Sequence, residues 1–98
     1  MATERYHPLF VEDLRDACEY YDSIEPALGL RFRDSVRSVV REIVTRPESF
    51  GRIGGDFRGA MIRRFPYVVV FVTEGNCRII YGLRHAASNR GDWFTRQF

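Results

Sequence analysis

Arg63-Arg64-Phe65-Pro66-Tyr67-Val68-Val69-Val70-Phe71 is the stretch on which the fold turns. A basic pair leads into Phe-Pro-Tyr, and a run of valines closed by Phe71 follows. Such a run favours a buried strand, while proline is tolerated only at a turn or a strand edge. A central strand is therefore expected over 67–73, with another before it over 57–65. Downstream, Glu74-Gly75-Asn76 predicts a hairpin loop, with the glycine supplying the unusual backbone angle. A third strand is expected over 77–85. Strict alternation would put Ile79, Tyr81 and Leu83 on one face and Arg78, Ile80, Gly82 and Arg84 on the other.

Upstream, the period changes from that of a strand to that of a helix. Leu14, Ala17, Cys18 and Tyr21 recur at i, i+3, i+4 and i+7, which predicts a helix over 9–22 opened by Pro8. Glu12 and Asp13 are expected to complement the positive end of its dipole. Pro26 opens a second helix over 26–45, with Leu28, Phe32, Val36, Val39, Val40 and Ile43 as its apolar face. Gly29 either sits in the first turn or permits close helix approach. Arg33, Arg37 and Arg41 form a basic stripe, read as solvated or paired with the acidic side of the first helix rather than as a nucleic-acid contact. Pro47 ends the helix, and 47–56 reads as a loop. Its Gly51, Gly54 and Gly55 lack the spacing of a phosphate-binding loop. Residues 4–7 form a short strand signal, and the tail 86–98 carries Trp93 and Arg96. The order β-α-α-β-β-β predicts an α+β fold: one domain over 1–98, with a helical hairpin packed on a mainly antiparallel sheet.

Composition bounds the function classes. No apolar run approaches the ~20 residues of a membrane span. The start of the chain lacks the basic and apolar regions of a signal peptide, so a cytoplasmic protein without membrane partners is expected. Two cysteines, Cys18 and Cys77, and two histidines without a Cys/His cluster point away from a disulfide scaffold and a zinc site. No cofactor or metal is expected. Residues 1–50 hold 7 arginines against 10 carboxylates, and residues 51–98 hold 8 against 3, net charges of −3 and +5. There is no lysine. The basic second half implies an acidic partner.

The ordered set His7-Pro8, Asp13-Leu14, Tyr20-Tyr21, Leu28-Gly29, Arg31-Phe32, Pro47, Phe50, Arg58, Phe65-Pro66-Tyr67, His85, Trp93 and Arg96 resembles the RelE/ParE superfamily, the toxins of bacterial type II toxin–antitoxin systems. The likeness is strongest to its ParE-like, plasmid-stabilization branch and covers nearly the whole chain. It implies a small toxin neutralised by a cognate antitoxin, as a toxin–antitoxin hetero-oligomer or with a homodimer. Some members of the superfamily inhibit DNA gyrase; others cleave mRNA on the ribosome. The chain departs from the nuclease pattern. Val68 stands where the RelE-like nucleases carry an arginine, and Ala86, Ala87 and Ser88 stand where they carry basic residues.

The resemblance therefore implies a gyrase inhibitor first. A ribosome-dependent endoribonuclease, or a non-toxic member that retains antitoxin binding, are the alternatives. A nuclease would need a base, an acid and positive charge on the phosphate. Only His85, with Arg84 and Arg64, offers these; otherwise His85 hydrogen-bonds the tail. Arg58, Arg63, Tyr20, Trp93 and Arg96 are the expected antitoxin- or target-binding residues, and Tyr20, Tyr21 and the outer side of the helical hairpin suggest a groove for an antitoxin segment that folds on binding. For Arg58 an ion pair with the first helix is the structural alternative, and for Trp93 packing of the tail.

Overall fold

The computed structural model describes residues 1–94. Its elements run in the order β1 (Thr3–Tyr6), α1 (Pro8–Ile24), α2 (Pro26–Thr45), a short 3-10 turn (Pro47–Ser49), β2 (Arg52–Gly54), β3 (Phe57–Met61), β4 (Tyr67–Glu74), β5 (Cys77–His85) and a second 3-10 turn (Arg90–Phe94). The five strands form one sheet in the order β1-β5-β4-β3-β2. β1 pairs parallel to β5, and the other neighbours are antiparallel. The helical hairpin covers one face, so the α+β expectation holds.

Prolines set the helix boundaries. His7 caps α1, its Nδ1 accepting the Leu9 N–H at 3.0 Å, and Pro8 occupies the first turn, where a missing N–H costs nothing. The helix runs on to Ile24, past the expected end at 22, because nothing before Pro26 opposes it. Glu25, forced to extended backbone by the proline after it, at once ends α1 and caps α2. A one-residue joint makes the helices antiparallel neighbours. Glu12 and Asp13 fall in the second turn of α1, beyond the reach of the helix dipole. The Asp13 carboxylate instead accepts the Leu83 N–H of β5 at 3.1 Å.

The sheet corrects three expectations. The glycine-rich segment 47–56 is not all loop: Arg52–Gly54 forms an edge strand, joined to β3 through Gly55, at φ 55°, and Asp56. β3 ends at Met61 rather than continuing to Phe65. Arg63 and Arg64 sit in the turn before β4, so they do not alternate across a strand. Arg64 holds φ 68°, a left-handed conformation that costs a non-glycine residue about 1–2 kcal/mol. Finally, the ladder between β4 and β5 slips, with Val70 opposite Gly82 and Phe71 opposite Ile80. Tyr81 is the extra residue of this bulge, which breaks the alternation. Leu83 and Ile80 both join the helix-side core, while Tyr81 packs with Val68, Val70 and Trp93 in a smaller second core.

The main core is knotted by aromatics. Tyr21 of α1, Phe32 of α2 and Phe65 of the β3–β4 turn bring their ring centroids within 5.0 Å of one another. Gly29 allows the close helix approach, since a Cβ there would fall in the space of the Asp22 carboxylate. Asp22 in turn holds Arg33 through two hydrogen bonds of 2.8 and 2.7 Å. The hydrogen bond from Arg33 keeps the Asp22 carboxyl below its usual range. A lowered folded-state value means that this contribution to stability is present above the ordinary carboxylate range and is lost as acid titrates the pair.

A Gly29→Ala substitution therefore should not deliver the ~1 kcal/mol that helix propensity alone would add. Its new methyl displaces Asp22 from Arg33. Urea denaturation is expected to show no stabilisation for Gly29→Ala, and a gain only when Asp22→Ser is added to both the parent and the variant. A stabilised single variant would show that Asp22 does not fill that space.

Candidate functional site

Between α1 and α2 lies a groove of about 830 Å³. Leu14 and Cys18 of α1 and Val36, Val40 and Val44 of α2 give it an apolar floor. Arg15, Arg37 and Arg41 stand on its rim with Glu4 and Glu19. Val36, Val40 and Val44 are spaced by four, and so are Arg33, Arg37 and Arg41 (two interlaced rows on one helix). Arg33 is held by Asp22, and Arg37 meets Asp34 of its own helix at 3.2 Å. The stripe is thus partly paired with the first helix, as expected, while Arg41 makes no ion pair among the described residues. Burial pushes up the Cys18 thiol and the Tyr6 phenol, both of which line the groove. At one end the groove meets β1, whose residues are exposed and whose outer edge pairs with no strand among the described residues.

The chemistry of the groove is that of a docking surface. An apolar floor with a partly unpaired basic rim accepts an amphipathic segment with acidic flanks. The bare edge of β1 offers backbone donors and acceptors to an extended continuation of that segment. Among the described residues, no group of three or more His, Cys, Asp or Glu side chains is placed to hold a metal ion. No described helix is long and apolar enough to cross a membrane.

The residues expected to form a nuclease centre are not gathered. His85 and Arg84 are consecutive in β5, so their side chains leave opposite faces of the sheet. The His85 ring stands edge-on to Tyr67 at 5.3 Å, and its Nδ1 accepts the Ala87 N–H. Arg84, opposite Val68, donates to the Asp92 carbonyl at 3.1 Å, with its Nε buried and unpaired. Arg64 lies in the β3–β4 turn, exposed like Arg63.

The expected binding residues are also dispersed. Arg58 donates to the Phe50 carbonyl, tying β3 to the segment before β2. Among the described residues Arg58 makes no ion pair with a carboxylate of the first helix, and its guanidinium is held by this backbone acceptor instead. Tyr20 is 59% exposed, on a side of α1 away from the groove. Trp93 is buried on Val68, Val70 and Tyr81, and its indole N–H donates to the Ser88 hydroxyl at 2.8 Å. That hydroxyl donates to the His85 carbonyl at 2.6 Å, so Ser88 links the His85 backbone to Trp93. Arg96 lies outside the described residues. Sequence reasoning missed the roles of His7 and Asp13, and it placed Tyr20 and Tyr21 in the partner groove of the hairpin, which neither of them lines. The interlaced valine and arginine rows were the signal of the groove.

Among solved structures, a chain of "Chromosomal ParDE TA system from P. aeruginosa" matches with a TM-score of 0.75. The match covers 87% of this chain and 95% of that one. The chain has a ParE/RelE-like fold. At 17% identity the likeness is one of fold, and it bears out the resemblance read from the sequence at that level. No family model matches the chain, and no curated protein does. Within the ParE-like fold, the groove uses the exposed side of the helical hairpin, and the second core is closed by Trp93.

Trp93 is the one tryptophan of the chain, so its fluorescence reports directly on that closure. Trp93→Ala is expected to cost about 3–5 kcal/mol, as for a large aromatic lost from a core. Ser88→Ala, which leaves the indole N–H without this acceptor, should cost about 1–3 kcal/mol. Guanidinium denaturation of both variants, followed by circular dichroism, checks the order. A Trp93→Ala chain as stable as the parent would return Trp93 to the surface.

Proposed function

We propose that this chain is the toxin of a type II toxin–antitoxin system: a ParE-like inhibitor of DNA gyrase, acting in the cytoplasm as a single domain over 1–98. A cognate antitoxin neutralises it by laying an acidic amphipathic segment in the groove between α1 and α2. The observation that carries this reading is the groove, apolar below and arginine-rimmed above, in a chain whose fold matches that of a ParDE system. Arg15, Arg37 and Arg41 face the acidic flanks of the antitoxin, and Val36, Val40 and Val44 take its apolar stripe. The toxin–antitoxin assembly is a hetero-oligomer, and the toxin needs no cofactor.

Gyrase is favoured over mRNA as target by the separation of Arg84 from His85 across the sheet and by Val68 at the position of the nuclease arginine. His85 spends its Nδ1 on a local backbone N–H, a structural use of the ring.

Two assays on the purified chain test the reading together. Gyrase supercoiling should be inhibited, and relieved by the product of the reading frame encoded beside the gene. In a translating bacterial extract, mapped mRNA 5′ ends should be unchanged. Val40→Glu, which places a carboxylate on the groove floor, should weaken antitoxin binding at least tenfold. New 5′ ends at ribosome-occupied codons would assign a nuclease instead. Inactivity in both assays, with antitoxin binding intact, would assign a non-toxic member.

A further inference from the structure

We propose that the chain carries a second interaction surface, separate from the groove, where Tyr20, Ile24 and the Arg63–Arg64 turn take an acidic surface patch of a target protein. The inference rests on the toxin reading above and adds the place where the target is held.

The separation follows from the geometry of α1. Val11, Leu14, Arg15, Cys18 and Glu19 line the groove and face α2. Asp13, Asp16, Tyr20 and Ile24 are spaced by three and four, so they share a different side of the helix. That side faces the sheet's end, since Asp13 reaches the Leu83 N–H of β5. The two sides of one helix can therefore be covered by different partners.

The chemistry of the second side is that of a protein contact. Tyr20 and Ile24 are 59% and 57% exposed. The Tyr20 ring is braced edge-on against Tyr21 at 5.1 Å, and its phenol lies near enough to help push up that of Tyr67, an effect led by burial. Tyr67 in turn stacks edge-on with His85. Around the same end of β4 and β5, the β3–β4 turn presents Arg63 and Arg64. Both are exposed and make no hydrogen bond or ion pair among the described residues.

The turn is itself held in place. The Ile62 N–H reaches the Tyr67 carbonyl at 2.9 Å, and Phe65 is anchored in the aromatic core. Arg64 keeps its left-handed backbone where a glycine would sit without strain. Strain retained at an exposed site motivates a functional hypothesis. Exposed tyrosine and arginine are enriched in binding hot spots, and two guanidinium groups without an ion pair among the described residues fit paired carboxylates. The apolar Ile24 and braced Tyr20 favour a protein surface over a phosphate backbone, which would ask for a longer basic track.

The test is the double variant Arg63→Ser/Arg64→Gly, in which the glycine relaxes the turn while both charges are removed. Its inhibition of gyrase supercoiling should fall at least tenfold, and its affinity for the product of the neighbouring reading frame should stay within twofold of the parent. Tyr20→Ser should give the same split. A parent chain that inhibits gyrase, with variants that inhibit equally well, would overturn the inference alone. Variants that lose antitoxin binding in proportion to inhibition would overturn the separation of the two surfaces. A parent chain that does not inhibit gyrase would overturn the toxin reading and the inference with it. Binding of a labelled 20-base-pair duplex by the parent and not by the double variant, without gyrase, would assign the surface to nucleic acid and overturn the protein partner.

Discussion

The contact of Tyr21, Phe32 and Phe65 holds the two halves of this molecule together. One ring comes from each helix and the third from the turn that opens the central strand. Each such buried ring contributes about 1.5–3 kcal/mol by its removal from water, and edge-to-face pairs add to this. The contact clamps the closed end of the hairpin onto the sheet. Towards the open end, the same two helices leave between them a groove lined by valines. Clamp and groove are thus two ends of one arrangement: the aromatics take up the core-facing surface near the joint, and shorter side chains further along leave room for a partner.

The same clamp explains why α1 can serve two surfaces. Its core side is occupied by Phe10, Ala17, Cys18 and Tyr21, which leaves a flank on either side. One flank carries Arg15 and Glu19 into the groove, and the other carries the exposed Tyr20 and Ile24. The turn that supplies Phe65 to the clamp is also the turn that exposes Arg63 and Arg64. Anchoring one residue of a tight turn in the core fixes its neighbours, so the two guanidinium groups are offered on a rigid base. Rigidity lowers the ordering cost of binding.

Much of this architecture was legible in the sequence, because proline and helical periodicity act locally. Pro26 and Pro47 bound α2, and Gly75 marks the β4–β5 hairpin, each through its own backbone restriction. Features created by pairing were not legible. β2 has three residues and no period, and it is a strand only because β3 lies beside it. The Tyr81 bulge depends on the register between two strands, which no residue of β5 declares. The Arg63–Arg64 pair looked like the end of a strand because the break at Ile62 is set by the anchoring of Phe65. At the site, Val40 read as part of the apolar face of α2, and only the packed hairpin leaves it half-buried beside arginines. Arg84 and His85 were candidates for one nuclease site as the available charge and the available histidine, whereas strand alternation sends them to opposite faces.

The central claim is that a partner segment occupies the groove between α1 and α2 while the β3–β4 turn stays free. Hydrogen–deuterium exchange of the chain, alone and bound to the product of the neighbouring reading frame, tests it most directly. Binding should slow exchange in β1 and in the groove-lining stretches 11–19 and 33–45, and leave 62–67 unchanged. Slowing confined to 62–67 and the end of β5, with 33–45 unaffected, would contradict the account.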